Sequence, residues 1–210
     1  PNGIDPNSHE RSLHRMTDIR YYVLLAGEAG VFKDIELEIM KETLEEWERR
    51  SDSPSTLIEL TASGRVSGFA YFGPANGTEF TFDLKWLVVD KLAHKQGIGD
   101  QLLQRIEVEI LKQKRSAILT VETTTRKEGA IRPGFFQEAG FSLIGHIPDF
   151  YGKGDDFLMY AKHLRPPEEI AAEAERAAQE ARAAEAKRAA QETQGGNGAQ
   201  ASQNPEEEEA

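Results

Sequence analysis

The sequence predicts a mixed α/β fold, and three observations carry that reading. Strand-like and helix-like segments alternate through the first 165 residues. The longest strand candidate, "TEFTFDLKWLVVD" (78–90), changes from alternating to continuously apolar, as a strand does when both its faces become buried. Directly after it, "HKQGIGDQLLQRI" (94–106) sets two glycines at the start of an amphipathic helix.

Each element follows from its own pattern. "IRYYVLLA" (19–26) is aromatic, β-branched and apolar, and predicts a strand. "DIELEIMKETLEEWERR" (34–50) predicts a helix capped by Asp34, with Ile35, Ile39, Leu44 and Trp47 on one face. "TLIELTASGRVSGFAYFG" reads as a hairpin turning at "ASGR". The helix after the glycines carries Ile98, Leu102, Leu103, Ile106 and Ile110 on one side. "AILTVETTT" (117–125) is another strand. "KEGAIRPGFFQEAGF" holds a short helix interrupted by Pro133 and Gly134 and ending near Gly140. "FSLIGHI" and "DFLMYAKHL" are the last strands, joined by the loop "PDFYGKGD".

Composition bounds the rest. The 210 residues suit one ordinary domain, expected over 18–165 after a flexible lead at 1–17. Residues 166–194 are rich in Ala and Glu and predict a solvated helical appendage; 195–210 read as a disordered acidic tail. Net charge is −11, of which the stretch from Pro166, with 4 basic and 11 acidic residues, holds −7. Neither part suits a nucleic acid, and no apolar run suits a membrane. The start has no apolar signal core and no initiator Met, as in a trimmed or partial chain. There is no cysteine, which excludes disulfides, thiolate metal sites and a Cys nucleophile and is compatible with a reducing cytoplasm, the expected location. His94, His146 and His163 lack metal-ligand spacing, so no metal is expected.

The glycine turn reads as an anion cradle or as a tight connection without ligand. Gly97 and Gly99 allow close approach of backbone N–H groups, and a helix's first turn leaves such groups unpaired at its positive end. A Walker loop would need a Lys-Ser/Thr pair, absent from "QGIGDQ". A dinucleotide fold would need a third glycine where Leu102 stands. The remaining pattern, Q/R-x-x-G-x-G/A between a long strand and a helix, fits except that His94 fills its first position.

With "DLKWLVVD", "HKQGIGDQLL", "VETTT", "GFFQEAGFSLIGHIPDFYGKGDD" and "FLMYAKHL" in this order, residues 19–164 resemble the GNAT superfamily of N-acetyltransferases. The resemblance implies a central, mostly antiparallel sheet with a splayed strand pair and flanking helices. It implies acetyl-CoA as co-substrate, its pyrophosphate on Lys95, Gln96, Gly97, Ile98, Gly99 and Asp100, and its pantetheine beside Leu87, Val88 and Val89. Phe136 stands near the coenzyme where the family often has Tyr.

Acetyl transfer to an amine needs a neutral nucleophile, and an alkylamine has a reference pKa of about 10.4, so a base is expected. Asp83 is one candidate, on the side of Leu87 and Val89 if alternation is regular, or simply paired with Lys85. Glu122 is the second, or satisfies a backbone donor. Tyr151, in the last loop, is the candidate hydroxyl for the leaving thiolate, or an amphipathic anchor. Loops near 26–34 and 147–155 are expected to shape the acceptor pocket, and Asp83, Glu122 and Asp155 to favour a cationic acceptor. The expected function is N-acetyl transfer to a small-molecule or peptide amine; the alternative is an acyl-CoA-binding sensor or scaffold without turnover. Oligomeric state is open between monomer and homodimer.

Overall fold

The computed structural model describes residues 18–62, 64–127 and 134–195. The lead at 1–17, Ser63 of the first turn, Pro133 and the tail from 196 lie outside them. The chain divides into two units, one ending at Leu164 and one beginning at Arg165.

The first unit opens with helix α1 (Ile19–Ala29), where composition had predicted a strand. Asp18 caps it, accepting the Arg20 N–H at 2.9 Å. The Arg20 guanidinium bonds the same carboxylate, which holds Asp18 down to about 2. Ile19, Tyr22, Leu25 and Ala26 are buried while Leu24 is exposed, so the apolar run carries a helical period that its aromatic, β-branched character masks. Helix α2 (Asp34–Arg49) is capped by Lys33 rather than Asp34: the Glu36 carboxylate accepts the Lys33 N–H at 2.8 Å in a capping box. Its buried residues are Met40 and Leu44, with Ile35 65% and Ile39 49% exposed, so the inward face is rotated from the expected one.

Six strands form one sheet in the order β1-β2-β3-β4-β6-β5: β1 (Thr56–Ala62), β2 (Arg65–Pro74), β3 (Thr81–Val89), β4 (Ala117–Thr124), β5 (Ser142–Gly152) and β6 (Asp155–Leu164). Only β3 and β4 run parallel; the other neighbours are antiparallel. Helix α3 (Ile98–Gln113) makes the crossover between that pair, as parallel strands require. Its five predicted inward residues are all buried. α4 is one short turn (Phe135–Glu138) entered through Gly134 at φ 74.

The sheet is covered on both faces. α1 and α2 share one core with Phe69, Tyr71 and Val88. α3 and α4 share the other with Phe72, Leu84, Leu119 and Val121. The expected loop at 148–155 is mostly strand: β5 continues to Gly152 and β6 resumes at Asp155, leaving a turn tied by the Gly154 N–H on Asp149 Oδ1 at 2.6 Å. β5 is the sheet edge, exposed along nearly its whole length, and its pairing with β6 breaks register twice.

The second unit is helix α5 (Pro167–Gly195), with Glu168 and Glu169 in its first turn and Arg165 paired with Glu173. Its side chains are exposed over 171–188, as an alanine face with little to bury requires. No helix among the described residues is long and apolar enough to cross a membrane.

Gly68 of β2 fixes how closely α3 sits on the sheet. A Cβ there would lie 2.8 Å from Ile98 Cγ2 and 2.8 Å from the Val88 carbonyl oxygen. Gly68→Ala is expected to lower stability by about 1–3 kcal/mol through overpacking, read as an earlier urea midpoint at unchanged slope.

Candidate active site

The site begins with one extra residue in β3. Tyr71 of β2 pairs with Trp86, and Phe72 with Leu84, so Lys85 is a bulge. A bulge reverses the pleat. Before it, Phe82 and Leu84 point to the α3 core; after it, Leu87 and Val89 do, while Val88 and Trp86 join the α1–α2 core. Asp83 therefore does not share a side with Leu87 and Val89, because the alternation is not regular. It lies on the α1–α2 face and accepts the Thr120 hydroxyl at 2.6 Å.

At the same level the sheet opens. β3 and β4 pair from Thr81 with Ile118 to Leu84 with Val121 and no further, although both strands continue. The Asp90 N–H donates to Ser67 O at 2.9 Å. That sets the antiparallel alternation with β2, in which Val88 and Trp86 bond across and Leu87 and Val89 turn their N–H groups toward the gap. A cleft of about 810 Å³ occupies the opening, and it meets both faces of the sheet.

On the α3 side the cleft meets the glycine turn. A 3₁₀ turn (Lys91–Ala93) capped by Asp90 leads into it. Lys95 and Gly97 have φ 64 and 74, so the chain reverses sharply before α3 begins at Ile98. A Cβ on Gly99 would lie 3.1 Å from the Phe135 ring, so this glycine lets the first helical turn approach α4. The first N–H of α3 with an acceptor in its own helix turn is that of Gln101, on Gly97 O at 3.0 Å. The N–H groups of Ile98 and Gly99 precede it, at the positive end of the helix dipole. Lys91, His94 and Lys95 add side chains around this end. Such a cradle fits the pyrophosphate of a coenzyme.

Of the sequence-predicted residues, the structure brings Leu87, Val88, Val89, Lys95, Gly97, Ile98, Gly99, Asp100, Phe136 and Glu122 to the cleft wall. Gln96, Asp83 and Tyr151 are not on it: Gln96 donates its side-chain amide to Leu92 O at 3.1 Å. Phe136 is buried among Phe135, Phe141 and Tyr160, with ring centroids 5.1, 5.7 and 5.5 Å away. Tyr151 stands on β5 rather than in a loop, 42% exposed, edge-on to Phe150 and tilted against Phe157. Burial, and then the negative charges of Glu122, Glu36 and Asp155, push its hydroxyl above the ordinary tyrosine value.

On the α1–α2 side the stretch expected near 26–34 does line the cleft, and Lys127 joins it. Val31 and Phe32 come from the turn between the two helices, and Lys127 from beyond β4. The Phe32 ring meets the edge of Trp86 at 6.0 Å and lies 5.0 Å from Lys127 Nζ. Lys127 pairs with Glu36. Burial pushes Glu36 up, but bonds from Lys127 and the Lys33 N–H outweigh it and hold the carboxyl below its ordinary range. The loop expected near 26–34 is a helix–helix turn, with Gly30 at φ 73 ending α1. Among the described residues no group of His, Cys, Asp and Glu could hold a metal ion.

Comparison with known proteins follows this geometry. Residues 54–143 match the family model for the acetyltransferase (GNAT) domain. No curated protein matches the chain. A solved structure of a GNAT-family acetyltransferase from Desulfovibrio desulfuricans is 27% identical, with a TM-score of 0.63 over 70% of this chain and 92% of that one. The ribosomal-protein-S18-alanine N-acetyltransferase of Escherichia coli shares the fold at 18% identity and TM-score 0.56, over 71% and 89%. An aminoglycoside 6'-N-acetyltransferase complexed with coenzyme A does so at 17% and 0.54, over 70% and 91%. Residues 54–143, which hold the split parallel pair and the glycine turn, thus match the GNAT acetyltransferase domain.

Proposed function

We propose that this domain transfers an acetyl group directly from acetyl-coenzyme A to a primary amine. The observation that carries the reading is the end of β3–β4 pairing at Leu84 and Val121, which joins the glycine turn to the α1–α2 side through one cleft. The family match supports acetyl-CoA as the donor. The acceptor class remains amine; the solved relatives named for a ribosomal protein and for aminoglycosides differ in it.

The chain's own groups divide the work. Backbone N–H groups of Ile98 and Gly99 hold the pyrophosphate. The N–H groups of Leu87 and Val89, facing the gap, steady the pantetheine and the oxygen that gains charge as the amine nitrogen attacks the thioester carbon. Glu122 projects on the α1–α2 face, because Leu119 and Val121 point to the α3 core and strand residues alternate. No ion-pair partner for it occurs among the described residues, and its carboxylate takes the proton that the amine must lose. The C–S bond then breaks and the thiolate departs.

The candidate hydroxyl, Tyr151, does not fit the departing thiolate, and the position of Phe136 offers no substitute. Tyr151 lies off the cleft, and its raised pKa takes it further from the thiol's reference value of about 8.5. We therefore assign Tyr151 to the mouth and not to proton transfer. The same lack of an acid favours one alternative, a coenzyme-binding module without turnover.

Incubation with acetyl-CoA and a panel of polyamines, aminoglycosides, amino acids and peptide N-termini is expected to release thiol with at least one of them. Coenzyme binding by calorimetry with every amine unmodified would select the binding module. Glu122→Gln is expected to lower kcat by about 10²–10⁴-fold at unchanged coenzyme affinity. Asp83→Asn and Tyr151→Phe should each change kcat by less than about tenfold, a bound set by the lower end of acid–base contributions.

Gly97→Val is expected to weaken coenzyme binding by about tenfold or more in a folded variant, because a β-branched residue disfavours the left-handed backbone. Unchanged affinity in isothermal calorimetry would remove the glycine turn from the site.

A further inference from the structure

A lysine stands in an apolar row of β6. Leu158, Tyr160 and Leu164 are buried in the α3 core, and Lys162 falls in the same alternation between the last two. Its stem runs along Gly140 and Phe141: a Cβ on Gly140 would meet Lys162 Cε at 3.4 Å, and Nζ lies 5.8 Å from the centre of the Phe141 ring. A lysine placed only to cover apolar surface carries its ammonium out to water. This one gives it to two protein acceptors. Nζ donates to Glu107 Oε1 of α3 at 2.6 Å and to Ala139 O at 2.8 Å.

Ala139 caps the C-terminal end of α4. The carbonyls before it are answered by the main chain. Phe141 N–H donates to Phe136 O at 2.9 Å and Gly140 N–H to Gln137 O at 3.0 Å, a Schellman end that Gly140 permits at φ 89. Lys162 adds a side-chain bond to this end and ties it to β6 and α3 together. A helix of four residues has little of its own to hold it in place. Yet α4 carries Phe135 and Phe136 to the cleft, and Phe135 is the ring that the first turn of α3 meets at Gly99.

Resting on the acetyltransferase reading, we propose that Lys162 is a positioning residue for the coenzyme. It is not on the cleft wall and acts through α4. Its bond to Ala139 O sets the depth of Phe135, and Phe135 sets where α3 presents the Gly99 N–H to the pyrophosphate. The Glu107 carboxylate balances the ammonium beside the core. The tie to the helix end and the ion pair are therefore separable, one serving the coenzyme and the other serving stability.

Three full-length variants separate the two. Lys162→Met keeps the stem over Gly140 and Phe141 and removes both bonds. Lys162→Met combined with Glu107→Met removes the ion pair as a whole and strands no carboxylate, an exchange that is often neutral or stabilising. Lys162→Arg keeps a cationic donor. Coenzyme A is titrated into each by calorimetry, stability is read from urea midpoints, and the Gly99 amide is followed by ¹⁵N–¹H correlation. Lys162→Met is expected to bind coenzyme A about three- to tenfold more weakly, the range of one hydrogen bond. Its Gly99 signal should shift as the Phe135 ring moves. The double variant should regain the urea midpoint while affinity stays low and the Gly99 signal stays displaced; Lys162→Arg should regain most of the affinity. Should Lys162→Met not fold, the double variant carries the same comparison. Affinity that returns together with the midpoint, or that never falls, overturns the proposal and leaves Lys162 a stabilising contact. A Gly99 signal that stays in place overturns it as well. Wild-type protein that fails to bind coenzyme A sinks the acetyltransferase reading itself, whereas equal binding by wild type and all three variants sinks the positioning role alone.

Discussion

The single extra residue at Lys85 governs the site. A strand in mid-sheet normally has partners on both edges, and its side chains alternate without interruption. Here the bulge and the end of pairing with β4 fall together, at Lys85 and just past Leu84. The first changes which face each later side chain meets. The second frees one edge of the backbone inside the domain rather than at its rim. Buried backbone groups call for partners, so an opened edge at the centre of a sheet is a place prepared for something other than protein.

The two sides of that opening receive different chemistry for reasons of packing. On one side the α3 helix must sit close, and three glycines allow it: Gly68 beneath the helix, Gly97 at the reversal and Gly99 against Phe135. The outcome is a helix end aimed at the gap, built almost wholly from main-chain groups. On the other side α1 and α2 meet through a short turn, and the wall is made of side chains: Phe32, Trp86, Glu36 and Lys127. A fixed coenzyme suits the first kind of surface and a chosen acceptor the second.

This difference also explains what could be read from the sequence. The α3 side was legible because its signals are local: glycine spacing, a helix start, and five apolar residues at helical period. The splayed strand pair in a mostly antiparallel sheet followed from the ordered motifs. The α1–α2 side was legible only as a loop near 26–34 and Glu122. "IRYYVLLA" has strand composition, and only Asp18 with the buried spacing of Ile19, Tyr22 and Ala26 marks it as a helix. Asp83 was assigned to the wrong face because a bulge leaves no trace in a run of apolar residues. Tyr151 was expected in a loop because "PDFYGKGD" is rich in turn formers, yet the turn uses only its last residues. Lys127 reaches the cleft through tertiary packing alone, which no spacing rule reports.

The outer strand β5 has a consequence of its own. Eleven residues run along the rim with Ile144 and Ile147 open to solvent, 57% and 48% exposed. A straight rim of that length would invite further chains to stack on it and grow into fibres. The two offsets in its pairing with β6 bend the rim, and Asp149, Lys153 and Asp156 place charge at its far end. The irregularity of β5 thus makes the rim a poor template for a further strand.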